Sequence, residues 1–112
     1  MQLAQRTEGP VLVAKPCVPR VDARVAADFK QQLFEAVDAG HPLVALDLSE
    51  VDFIDSSGLG VIVSALKHVG ERGSLVIIGA RPAVVNLLRL TRMDKVLRLY
   101  PGEADAIAAL VH

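Results

Sequence analysis

The chain has 112 residues, with 12 Lys+Arg against 13 Asp+Glu and a formal net charge of −1, so no global field draws it to nucleic acid or to an anionic membrane. Its 52% hydrophobic and 22% charged residues are the mix of an ordered globular protein, and the length suits a single domain, residues 1–112, whose core needs neither metal nor disulfide. Cys17 is the only cysteine, no basic-then-apolar leader opens the sequence, and no apolar stretch approaches the roughly 20 residues that span a bilayer, so the expectation is a cytoplasmic protein without an internal disulfide or a membrane partner.

Leu3-Ala4-Gln5-Arg6 and Val11-Leu12-Val13-Ala14 flank the turn residues Gly9-Pro10, which predicts an opening antiparallel hairpin. Pro16 and Pro19 interrupt further pairing, and Asp22 offers a capping oxygen to a helix carrying Phe29, Leu33, Ala36 and Val37 at helical spacing, closed by Gly40 and Pro42. Leu43 to Leu48 is a nearly unbroken apolar run, as expected of a central strand covered on both faces. After a connector from Ser49 to Asp55, the residues Leu59, Ile62, Val63, Leu66 and Val69 form a second helical stripe, ended by Gly70 and Gly73.

Leu75 to Gly79 reads as another buried strand, and Arg81-Pro82 starts a third helix with Val84, Leu87 and Leu88 inward. Val96 to Tyr100 reads as a last strand, and Glu103 to Val111 as a terminal helix carrying Ile107 and Leu110 inward. The order β-β-α-β-α-β-α-β-α requires crossover connections, so the expected fold is α/β: a small mixed, mainly parallel sheet opened by an antiparallel hairpin and packed by about four helices. The periodicities place Phe29, Leu33, Leu46, Leu48, Ile62, Leu66, Ile77, Leu87 and Leu88 in its core.

The most distinctive segment is Asp52-Phe53-Ile54-Asp55-Ser56-Ser57-Gly58-Leu59-Gly60, at the carboxyl end of a central strand, where open α/β sheets form their sites. Asp55, Ser56 and Ser57 all suit a helix N-cap, and propensity does not rank them. Gly58 and Gly60 each cost a helix about 0.5–1 kcal/mol relative to Ala, so close approach by another backbone is the expected reason for them. Gly60, Ser64, Lys67, His68 and Glu71 share the face opposite the apolar stripe.

Leu46-Asp47-Leu48-Ser49 followed by Phe53 to Val61 resembles the signature of the bacterial anti-sigma-factor antagonists of the STAS superfamily. Arg81-Pro82-Ala83-Val84 and Leu90 to Val96 extend the resemblance over roughly residues 43 to 110. Two departures stand out: Pro16 to Asp22 replaces a Gly-x-hydrophobic-Asp stretch, with Asp22 alone corresponding, and Arg92 replaces a usual glycine. The resemblance implies the STAS fold and a partner-switching cycle. In that cycle the unmodified protein binds an anti-sigma factor that is also a serine kinase, the kinase phosphorylates the first serine of the motif, here Ser56, and a serine phosphatase resets the switch. It further implies a partner-binding surface at Asp22, Asp55, Ser57, Gly58, Leu59, Gly60 and Ser64, with no cofactor of the chain's own.

Enzymatic readings fail on the residues. A hydrolase elbow needs Gly-x-Ser-x-Gly, yet Ile54 and Asp55 precede Ser56 and Ser57 by two. No phosphate-binding glycine loop is present, and His41, His68 and His112 are scattered without metal-ligand spacing. The alternative within the same resemblance is a constitutive STAS adaptor subunit of a transport or signalling complex, without phosphorylation.

Overall fold

A computed structural model describes residues 1–111 of the chain. Gly9, at φ 59°, supplies the left-handed residue that lets β1 (Leu3–Glu8) fold back on β2 (Val11–Pro16), with Leu3 opposite Pro16 and Glu8 opposite Val11. Asp22 caps α1 (Ala23–Asp38) by accepting from the Arg24 N–H at 3.0 Å. The remaining main-sheet strands, β4 (Leu43–Asp47), β6 (Ser74–Ile78) and β7 (Leu99–Tyr100), run parallel to β2. The sheet order is β1-β2-β4-β6-β7, with β4 at its centre.

The helices α2 (Ser56–Val69), α3 (Pro82–Leu90) and α4 (Glu103–Leu110) complete the layers. Side chains alternate across the sheet with the period of two that a strand imposes. Leu12, Val44, Leu46, Leu75 and Ile77 point into the core shared with Phe29, Leu33, Ile62 and Leu88, while Val11, Val13, Ala45, Val76 and Ile78 meet Ala106 of α4 on the other face. Arg6 of β1 pairs with Glu103, tying the start of α4 to the hairpin.

The mainly parallel sheet, its antiparallel opening pair and the four helices match the expected fold. Several local expectations are corrected. Two further strands, β3 (Arg20–Val21) and β5 (Phe53–Ile54), pair in parallel as a separate ribbon, where loop was expected. Two residues are too few to show a period, so no pattern announced them. The last strand is Leu99–Tyr100 alone, since Met93–Lys95 winds as a 3₁₀ turn and leaves Val96 exposed.

The inward stripe of α2 is rotated toward smaller residues: Gly58, Val61, Ile62, Ala65 and Val69 are buried, while Leu59, Val63 and Leu66 are only half-buried. Close packing on α1 and β3 favours the face with less bulk. For the same reason Leu87 is half-buried beside fully buried Val84 and Leu88, and Ala106 is the buried residue of α4, with Ile107 and Leu110 half-covered. Seven of the nine residues expected in the core are buried there: Phe29, Leu33, Leu46, Leu48, Ile62, Ile77 and Leu88.

Leu46 and Ile62 are both 0% exposed, one on the central strand and one on the helix above it. We expect Leu46→Ala and Ile62→Ala each to lower the unfolding free energy by about 2–5 kcal/mol, through lost burial and the cavity left behind. Chemical denaturation followed by circular dichroism measures this, and losses under roughly 1 kcal/mol at both sites would contradict the packing described.

Candidate functional site

The segment carrying the serines hangs between two anchors. At the end of β4, Asp47 accepts from the Ser49 N–H at 2.9 Å, and the guanidinium of Arg81, the residue before α3, donates through Nε to the Ser49 carbonyl at 2.7 Å and pairs with Asp52. On the other side the Pro19 carbonyl accepts from the N–H groups of Asp52 and Phe53, at 2.8 and 3.2 Å. The β3–β5 ribbon continues the attachment, and the Arg20 guanidinium lies 4.3 Å from the centroid of the Phe53 ring. The loop is thus fixed from both ends before the motif begins.

Asp55 is the N-cap of α2. Its Oδ1 accepts from the N–H groups of Ser57 and Gly58, at 2.9 and 3.1 Å, and its Oδ2 accepts from the Ala23 N–H at 3.3 Å. One carboxylate therefore receives donors from the first turns of two helices, α2 and α1, at the positive ends of both macrodipoles. The Asp55 N–H in turn donates to the Val21 carbonyl at 3.3 Å. Of the three residues suited to the cap, the aspartate takes it because it alone lies outside the helix, with extended backbone, φ −96° and ψ −174°.

Ser56 and Ser57 are consequently the first two residues of the helix. Ser56 is exposed and Ser57 half-buried, and among the described residues neither hydroxyl makes a hydrogen bond. Gly58 faces inward: a Cβ there would sit 2.4 Å from the Val21 carbonyl oxygen, so the expected close backbone approach is present. At Gly60 it is not, since nothing lies within 4 Å of a Cβ built there and the residue is exposed. Leu59 packs half-buried against the core, and Ser64 lies half-buried further along α2. The structure brings Asp22 and Asp55 to adjacent helix starts. His41 and His68 join no group of metal-ligating side chains among the described residues, and His112 lies outside them.

The STAS-domain family profile matches residues 6–106. The chain belongs to the STAS-domain family. Among curated relatives, the anti-sigma-B factor antagonist of Listeria monocytogenes is 33% identical over 87 residues, which cover 76% of this chain and 75% of the relative. Among solved structures, an anti-sigma factor antagonist from Mycobacterium paratuberculosis superposes with a TM-score of 0.90 at 25% identity, covering 99% of this chain and 94% of that one. The Bacillus cell fate determinant SpoIIAA in its phosphorylated form shares the fold, with a TM-score of 0.71 at 14% identity over 96% of this STAS domain and 98% of its own chain.

What the sequence reading missed is the support under the motif. The Val21 and Pro19 carbonyls carry no side-chain signature, because any residue supplies a backbone acceptor. The Arg81–Asp52 pair spans 29 residues and joins two stretches that periodicity treats separately.

Gly58 and Gly60 separate two effects within one helix turn. Replacing either by Ala gains about 0.5–1 kcal/mol of helix propensity, but at Gly58 the methyl meets a fixed backbone oxygen. We expect Gly60→Ala to stabilise the domain by about 0.5–1 kcal/mol. Gly58→Ala should destabilise it by about 1–3 kcal/mol net. Thermal melts of both variants check the sign of each, and equal effects would contradict the Val21 contact.

Proposed function

We propose that residues 1–112 act as one STAS domain and as a non-enzymatic anti-sigma-factor antagonist. The domain binds a serine-kinase anti-sigma factor in the cytoplasm and is released from it when the kinase phosphorylates Ser56; a serine phosphatase restores the binding form. ATP belongs to the kinase, and this chain uses no cofactor of its own. The observation that carries the reading is the exposed Ser56 at the first position of α2, with its hydroxyl uncommitted because Asp55 already provides the cap. The family's anti-sigma factor antagonists and the phosphorylated SpoIIAA structure support the same reading.

A phosphate on Ser56 adds about −1.5 to −2 charges at the positive end of the α2 macrodipole, where the fold accommodates it. The N–H groups of Ser57 and Gly58 are already held by Asp55, so the phosphate cannot use those two donors. Its charge instead adds to that of Asp55, on a surface that a bound partner would have to desolvate. Ser56, Gly60 and Ser64 recur every four residues and so form one outward line along α2, flanked by Ser57 and Leu59. In this reading that line is the contact surface, Gly60 admits the partner's backbone, and Asp22, Asp55 and Gly58 hold the surface in place. Lys67 lies next along the same side of the helix.

Incubating wild type, Ser56→Ala and Ser57→Ala with the cognate kinase and ATP tests the assignment. We expect phosphate incorporation into wild type and Ser57→Ala and none into Ser56→Ala. Ser56→Asp should weaken partner binding at least about tenfold, roughly 1.4 kcal/mol, by supplying part of the charge. Incorporation into Ser56→Ala with none into Ser57→Ala would reverse the assignment.

A further inference from the structure

The ten residues from Arg89 to Arg98 hold four of the chain's 12 Lys+Arg and one of its 13 Asp+Glu, so a nearly neutral protein is locally basic. Elsewhere the arginines are largely neutralised: Arg6, Arg20, Arg24 and Arg81 each lie beside a carboxylate. Arg89, Arg92, Lys95 and Arg98 have no ion pair among the described residues, and all four are exposed. Arg89 alone would need no functional account, since a cation in the last turn of α3 complements the helix dipole. Arg98 has no such reason, as it stands at the entry to β7.

These two arginines line one cleft of about 390 Å³ between α3 and β7, with Val85, Leu97, Leu99 and Tyr100 as its apolar wall and Asp94 as its single acid. β7 is the outermost strand, so no further strand covers this side of the sheet. Arg92, at the end of α3, is the one non-glycine with positive φ among the described residues, at 61°. A left-handed residue just past the C-cap is the usual helix ending, so this conformation belongs to the termination of α3. Val96, 58% exposed, adds apolar surface beside the cations.

The cleft lies at the β7 edge of the sheet and shares no lining residue with the Ser56 motif. β7 pairs with Ile77 and Ile78 at the carboxyl end of β6, so the cleft and the Ser56 motif are set apart by the strands they follow and not by opposite ends of the sheet. We propose that the α3–β7 cleft is a second docking surface, for an acidic segment of a partner protein that carries at least one apolar side chain. Its carboxylates face Arg89 and Arg98, and its apolar residue lies on Leu97, Leu99 and Tyr100. The proposal does not depend on the phosphorylation cycle.

The probe is a fluorescein-labelled peptide of alternating Glu and Leu, titrated with the full chain in low salt and followed by anisotropy. We expect saturable binding that weakens as salt rises, falls at least tenfold in Arg89→Glu and in Arg98→Glu, and is retained in Arg98→Lys and in Lys30→Glu, whose change lies on α1. Circular dichroism melts establish that each variant is folded, and Arg98→Gln serves if a charge reversal is not. Equal binding of a Gln/Leu peptide, tighter binding of a single-stranded RNA 12-mer, or unchanged peptide affinity in both Arg→Glu variants would overturn the proposal.

Discussion

The approach of Gly58 to the Val21 carbonyl is the constraint on which the motif region depends. With a Cβ at position 58 the gap would close to 2.4 Å, so the first turn of α2 can lie against β3 only if that residue has no side chain. Once it does, the Val21 carbonyl accepts the Asp55 N–H, and the Asp55 carboxylate reaches the first turns of α1 and α2 together. The serine next to Asp55 is then turned outward without having been recruited to cap the helix. Local stability and an accessible hydroxyl are in this way assigned to different residues.

That division bears on how a charge at Ser56 would be felt. Were Ser56 itself the cap, modifying it would remove a hydrogen-bond acceptor from the helix start, at a cost of about 0.5–2 kcal/mol. With Asp55 in that role, the hydrogen bonds of the first turn persist while the outer surface changes. A regulatory modification placed on such a residue reads out on the partner and spares the core, which begins directly beneath at Val61 and Ile62.

How much of this was legible in the sequence depended on how many residues each feature spans. The strand from Leu43 and the helix from Asp22 announce themselves through runs long enough to show a period or a cap, and the main sheet followed from their order. The β3–β5 ribbon is two residues per strand and left no trace, although it positions the motif. Within α2 the period was visible but its phase was not: Leu59 and Leu66 are bulkier than Val61 and Ala65, yet tight packing on α1 and β3 turned Val61 and Ala65 inward. Gly58 was readable as a close approach, while Gly60, its equal in sequence terms, meets nothing, because sequence does not say which side of a helix another backbone crosses.

The most direct measurement compares amide NMR spectra of the chain with serine and with phosphoserine installed at position 56. The expected result is a folded spectrum in which shift changes are concentrated at Asp55, Ser57, Gly58 and their neighbours Val21 to Ala23, while the amides of Leu46, Ile77 and Leu88 stay in place. Loss of dispersion, or changes of equal size throughout the core strands, would contradict the claim that Ser56 is a surface position on a helix start held by other residues.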